Sequence, residues 1–193
     1  FAILAAFMQN ISAMTQRELA DHVDTLSATY ARFLFASPIS ALFLVGLLYR
    51  PGVSFPTFDL TFILYGILGG ISQIIATVLL IYLYSIRNFA VGSAFKKTEA
   101  LQAAVIGFLI VGDLISITGF FALGLGLLGV LLLAKSPISY NFMNATAFLG
   151  LFCGTLFAAS AVFYRSSILS LEGGDYLINA TLTLTFVLIF QSV

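Results

Sequence analysis

The charged residues of this chain are confined to short stretches between long apolar runs, and that sorting limits the fold more than any motif does. Of 16 Lys, Arg, Asp and Glu residues, twelve fall in loops or at helix ends, among them Arg17, Arg50, Arg87, Asp113, Lys135 and Arg165. Only Arg32, Lys96, Lys97 and Glu99 lie well inside apolar runs. A hydrocarbon layer imposes this pattern, because a charge at membrane depth is costly and buried backbone groups must be satisfied within a helix. Charged residues make up 8% of the chain, against about 25% in soluble domains. The expected fold is all-α, a polytopic transmembrane helical bundle.

Seven apolar segments can be drawn. The first, Phe1 to about Gln16, is short and is followed by the charged loop Arg17 to Asp24, which holds the single histidine, His22. The second, Thr25 to Tyr49, contains Arg32 and Pro38 and stops at Arg50-Pro51-Gly52. Proline inside a spanning helix is tolerated where a neighbour satisfies the carbonyl it frees. Arg32 lies two turns in and either snorkels to the headgroups or lines a cavity. The third segment, Phe58 to Tyr84, carries Gly66 and Gly70 at the GxxxG spacing that lets helices approach closely. The fourth is Phe89 to Val111, bounded by Asn88 and Gly112-Asp113, with Lys96, Lys97 and Glu99 near its middle. The fifth, Leu114 to Ala134, is rich in glycine, Gly124 included, and forms a tight hairpin with the fourth. The sixth, Ala145 to Leu169, repeats the GxxxG spacing at Gly150 and Gly154. The seventh opens at Leu177 and is still running at Val193, and Phe1 is not Met, so the chain reads as a fragment.

An internal repeat is visible. Ser12-Ala13 and Arg17 at the end of segment one recur as Ser160-Ala161 and Arg165 at the end of segment six, 148 residues later. Leu26-Ser27-Ala28-Thr29 resembles Ile178-Asn179-Ala180-Thr181, 152 residues later. These matches suggest a five-helix unit, residues 1–135, a linker at 136–144, and the start of a second unit at 145–193. Five is odd, so the second unit enters the membrane inverted, the arrangement of secondary transporters with midplane substrate sites. About seven of ten expected helices are then present. Arg32 has no charged counterpart; at an offset of 152 it falls on Leu184.

The segments VGSAFKKTEALQAAVIGFLIVGDLISITGFFALGLGLLGVLLLA, ATYARFLFASPIS and LFCGTLFAASAVFYR resemble EamA-type transporters of the drug/metabolite transporter superfamily. The likeness lies in Arg32-Phe33 near the start of helix two, in Gly112-Asp113 after helix four, and in the Gly-rich closing helix. The resemblance implies a ten-helix inner-membrane carrier working by alternating access, often an exporter of amino acids or similar metabolites. It also implies that helix four lines a central cavity. The chain departs from the family in carrying Lys97-Thr98-Glu99 where members often have Asn or Ser-Pro. A cytoplasmic N-terminus is supplied by the family alone, because the loop charges show no positive-inside bias.

On a helix, Gly92, Lys96, Glu99 and Ala103 share one face, and Lys97 points about 100° away. Lys96 and Glu99, three apart, can pair. The functional reading gives Glu99 a substrate ammonium or a proton, and a lysine a carboxylate or phosphate. The plain alternative is a buried Lys–Glu pair that fixes packing. The partners expected are a small-molecule substrate, the bilayer and, as an option, a second copy in a homodimer. No cofactor, metal or nucleic acid is implied: the net charge is zero, and His22 and Cys153 stand alone. Cys153, in an apolar run, reads as packing. A scaffold or sensor subunit is the rival to a transporter, but needs neither midplane charge nor a repeat. A membrane enzyme acting on lipids is the weaker rival, since no acid/base or metal-binding cluster appears.

Overall fold

A computed structural model describes residues 7, 8, 10–12, 14, 15, 18, 23–50, 54–86, 98–112, 116–133 and 145–193. Among these residues the regular elements are all helices: α1 (Thr25–Leu48), α2 (Leu60–Ile86), α3 (Glu99–Val111), α4 (Ile117–Leu133), α5 (Ala145–Leu169) and α6 (Tyr176–Ser192). Three of them hold stretches long and apolar enough to span a bilayer: Leu26–Leu48, Leu60–Ser85 and Phe148–Leu169.

The surfaces are inverted relative to a water-soluble bundle. On α1, Leu34, Phe35, Ile39, Leu42 and Phe43 are exposed, while Ser40 and Thr29 are buried. On α6, Asn179, Thr181, Thr183, Thr185 and Gln191 are all buried. Apolar groups outside and small polar groups at helix interfaces are what a lipid solvent selects. Most of the buried hydroxyls return to their own helix, as in Thr181 Oγ1 to the Leu177 carbonyl (2.7 Å) and Thr183 Oγ1 to that of Asn179 (2.8 Å).

Three helix ends follow from local chemistry. The Asp24 carboxylate accepts from the Leu26 amide (3.3 Å) at the start of α1, and Asp59 Oδ1 accepts from the Phe62 amide (3.0 Å) at the start of α2. The Phe62 amide, and next the Thr61 hydroxyl, hold the Asp59 carboxyl below its ordinary range. Gly112 ends α3 in the left-handed conformation (φ 75°), its amide bonded to the Gly107 carbonyl. Within α1, Pro38 frees the Leu34 carbonyl four residues back. The Ser37 hydroxyl donates to that carbonyl at 3.1 Å, so the break is satisfied locally.

Packing is built around α2, whose broadest contact is with α5; α1 lies mainly against α6. Gly66 and Gly70 admit two α6 rings: a Cβ on Gly66 would stand 2.7 Å from Phe186, and one on Gly70 2.8 Å from Phe190. Gly69 admits Tyr164 of α5, to which a Cβ would come within 2.5 Å. Gly150 and Gly154 are buried in α5. Gly124 differs: nothing lies within 4 Å of its would-be Cβ, so no close partner reaches it among the described residues. Cys153 is buried and its thiol donates to the Ala76 carbonyl (3.2 Å), within a cluster with Leu80, Leu83 and Phe157.

The loops before α2 and α6 are joined by a two-residue β-bridge. Thr57 N–H donates to the Glu172 carbonyl (3.0 Å), and Glu172 N–H to that of Thr57 (3.2 Å). The bridge sets the end of α1, the start of α2, the end of α5 and the start of α6 on one side of the bundle.

Candidate functional site

Four helices, α1, α2, α5 and α6, surround a cleft of about 730 Å³. Its walls are largely apolar, with Phe33, Ile39 and Phe43 from α1, Ile168 from α5, and Leu184 and Leu188 from α6. Four larger polar side chains interrupt them, one from each helix: Arg32, Gln73, Tyr164 and Gln191.

Three of the four form a closed network. Tyr164 Oη donates to Gln73 Oε1 at 2.6 Å. Gln191 Nε2 donates to Gln73 Oε1 (2.9 Å) and to the Gly70 carbonyl (3.1 Å), and lies 3.3 Å from Tyr164 Oη. Gly69 and Gly70 make this possible, since any side chain there would displace Tyr164 or the α6 rings. Gln73 is the central residue of the 27 in α2, so the network sits at mid-depth. Placing amides there is costly unless they bond to one another.

Two groups at this site are left over. Arg32 Nη1 is buried with no hydrogen-bond partner, and so is Gln191 Oε1. The Arg32 guanidinium lies 5.8 Å from the Phe33 ring centroid, within cation–π range. Among the described residues that line the cleft, Arg32 is the sole formally charged one. It begins seven residues into α1, about 10 Å along the axis. Its side chain stands in the cleft wall.

The other charged candidates are placed differently. Glu99 is the first residue of α3, half-buried, and is not among the residues lining the cleft. An acidic residue in a helix's first turn is favoured by the helix dipole. Its helix packs on α5 and α4, and Gln102 Nε2 reaches the Leu151 carbonyl at 3.4 Å. Lys96, Lys97, His22, the first part of the 89–111 segment and the linker 136–144 lie outside the described residues. Gln73, Tyr164 and Gln191 were not singled out from sequence. The signal was present: each is a polar group well inside an apolar run, and two are amides.

Helices that turn apolar side chains outward, around a largely apolar cleft with a polar network at mid-depth, make this a multi-pass membrane protein. Residues 1–135 match the EamA-like transporter family, and the chain belongs to that family. It is thus a membrane transporter of the drug/metabolite type. No curated protein and no solved structure matches it.

Proposed function

We propose that this protein is a secondary transporter that moves a small metabolite across the inner membrane by alternating access, with export the expected direction, and that the α1/α2/α5/α6 cleft is its substrate path. The observation that carries the reading is the mid-depth polar network with Arg32 beside it, whose buried Nη1 has no hydrogen-bond partner. A scaffold has no use for a charged side chain with an unsatisfied buried donor at this depth, which is costly to keep.

The five-helix repeat supports the same reading. At an offset of 152, α1 corresponds to α6, and these two helices pack on each other. Three offset pairs line the cleft from its two sides: Arg32 with Leu184, Ala36 with Leu188, and Ile39 with Gln191. A substrate path at the interface of two inverted units is what alternating access needs. Glu99, with Lys96 and Lys97, is retained as the coupling candidate, taking up a proton away from the substrate.

The test is reconstitution of the full-length protein into liposomes, with a panel of labelled metabolites and with or without an imposed proton gradient. Gradient-dependent flux above protein-free liposomes is expected for at least one compound. A monodisperse preparation that moves none of them sinks the proposal.

A further inference from the structure

Resting on the transporter reading, we infer that the Thr57–Glu172 bridge is a gate: it shuts one end of the cleft in this structure and parts when the cleft is presented to that side of the membrane. The cleft runs up to the helix ends beneath the bridge. Ile168, on its wall, is the second-last residue of α5, and Ala180 lies four residues into α6, about 6 Å along the axis. The two bridged loops lead from α1 into α2 and from α5 into α6. These are the four helices around the cleft, so the tie lies across its end.

The closure has a built seat. Gly173 and Gly174 take left-handed backbone (φ 80° and 72°), a turn that favours glycine and brings the loop down on the first turn of α6. Asn179 positions it there, its Nδ2 donating to the Gly173 carbonyl at 3.1 Å. A Cβ on Gly174 would stand 2.6 Å from Asn179 Oδ1 and 3.4 Å from the Pro56 Cβ, so the loop is wedged between α6 and the loop that precedes α2. Pro56 and Leu171, each one residue before a bridge partner, are buried, while Thr57 and Glu172 are exposed. The plug is apolar and sits inside; the bonds that hold it face water.

The same features make the closure reversible. Water replaces two exposed backbone bonds at small net cost. Closure leaves Asn179 Oδ1 buried without a donor, and opening lets water satisfy it. The tie also joins the two units of the proposed repeat, Thr57 from the first and Glu172 from the second. Movement of one unit against the other, which alternating access requires, must part it.

The experiment is disulfide trapping of the full-length protein in liposomes, with flux read on the labelled metabolite panel. Thr57→Cys/Glu172→Cys sets two thiols on an antiparallel pair whose Cα atoms stand about 5.5 Å apart, inside the disulfide range of about 4.4–6.8 Å. Oxidation is expected to cut flux at least tenfold in step with the cross-linked fraction, and dithiothreitol to restore it. A long flexible bismaleimide across the same thiols should leave flux standing, and oxidant should not affect either single variant. Adding Gly174→Ala, which drives a Cβ against Asn179 Oδ1, should slow disulfide formation severalfold. Cross-linked protein that transports as well as reduced protein overturns the gate and leaves the transporter standing; equal arrest by short and long tethers overturns the gate too. An unsubstituted protein that moves no compound removes the transporter reading and the gate with it. Should the reduced double variant carry nothing while the unsubstituted protein is active, deuterium exchange on the unsubstituted protein decides. Peptides holding Thr57 and Glu172 should then open in one correlated step, and protection of both equal to that of α2 overturns the gate.

Discussion

Arg32 and Glu99 are both charges set in apolar sequence, yet they occupy different surroundings. Arg32 is held on a helix wall that three other helices complete, with an aromatic ring beside it and a polar network in the same cleft. Glu99 stands at the start of a 13-residue helix that packs on α5 and α4, away from that cleft. Hydropathy alone treats the two alike. What separates them is which other helices meet at that depth, and that is a property of tertiary packing.

The sharpest way to break this contrast is to neutralise each charge in turn and measure transport. Arg32→Gln is expected to lower flux about tenfold or more at subsaturating substrate. Glu99→Gln is expected to leave binding intact while the response to a proton gradient disappears. Equal losses of binding in the two variants would erase the distinction between them.

A second comparison sets Gly70 against Gly124. Gly70→Leu forces a side chain into the Phe190 ring, a strain of about 1–3 kcal/mol that thermal unfolding in detergent would register. Gly124→Ala meets nothing within 4 Å and should be neutral or stabilising by about 0.5–1 kcal/mol through helix propensity. A loss at Gly124 as large as at Gly70 would mean that a close partner sits there after all.

Ser37→Ala strips the donor from the Leu34 carbonyl beside Pro38 and should cost about 1 kcal/mol in the same assay. The smallest effect is expected at Asp59, which is fully exposed. Its carboxyl is held below the ordinary range by the Phe62 amide and the Thr61 hydroxyl. The stability it adds is therefore present above the ordinary carboxylate pKa and fades as pH falls through the lowered value. Asp59→Asn should flatten the acid side of the stability profile; an unchanged profile would show that the cap carries no charge-dependent share.

The helix map was legible because lipid leaves little freedom: α1 and α5 begin where the apolar pattern put them, at Thr25 and Ala145. The glycine spacing at Gly66 and Gly70 pointed to close approach, but could not say that Phe186 and Phe190 were the knobs. Arg32 was visible as a candidate because a charge in an apolar run is conspicuous. Gln73, Tyr164 and Gln191 were not, because a lone amide or phenol is unremarkable until others from distant segments converge on it. Their meeting spans up to 118 residues of sequence, between Gln73 and Gln191, a separation no local pattern encodes.

The proline in α1 has a mechanical side. A helix is stiff because every turn is tied to the next, and α1 lacks one such tie, at Leu34. A rod with one rung missing bends first at that rung. Arg32 lies on one side of the joint and Phe43 on the other, so two parts of the cleft wall are carried by different halves of one helix. Flexing there changes the distance between them, and the Ser37 hydroxyl can hold the freed carbonyl through the motion.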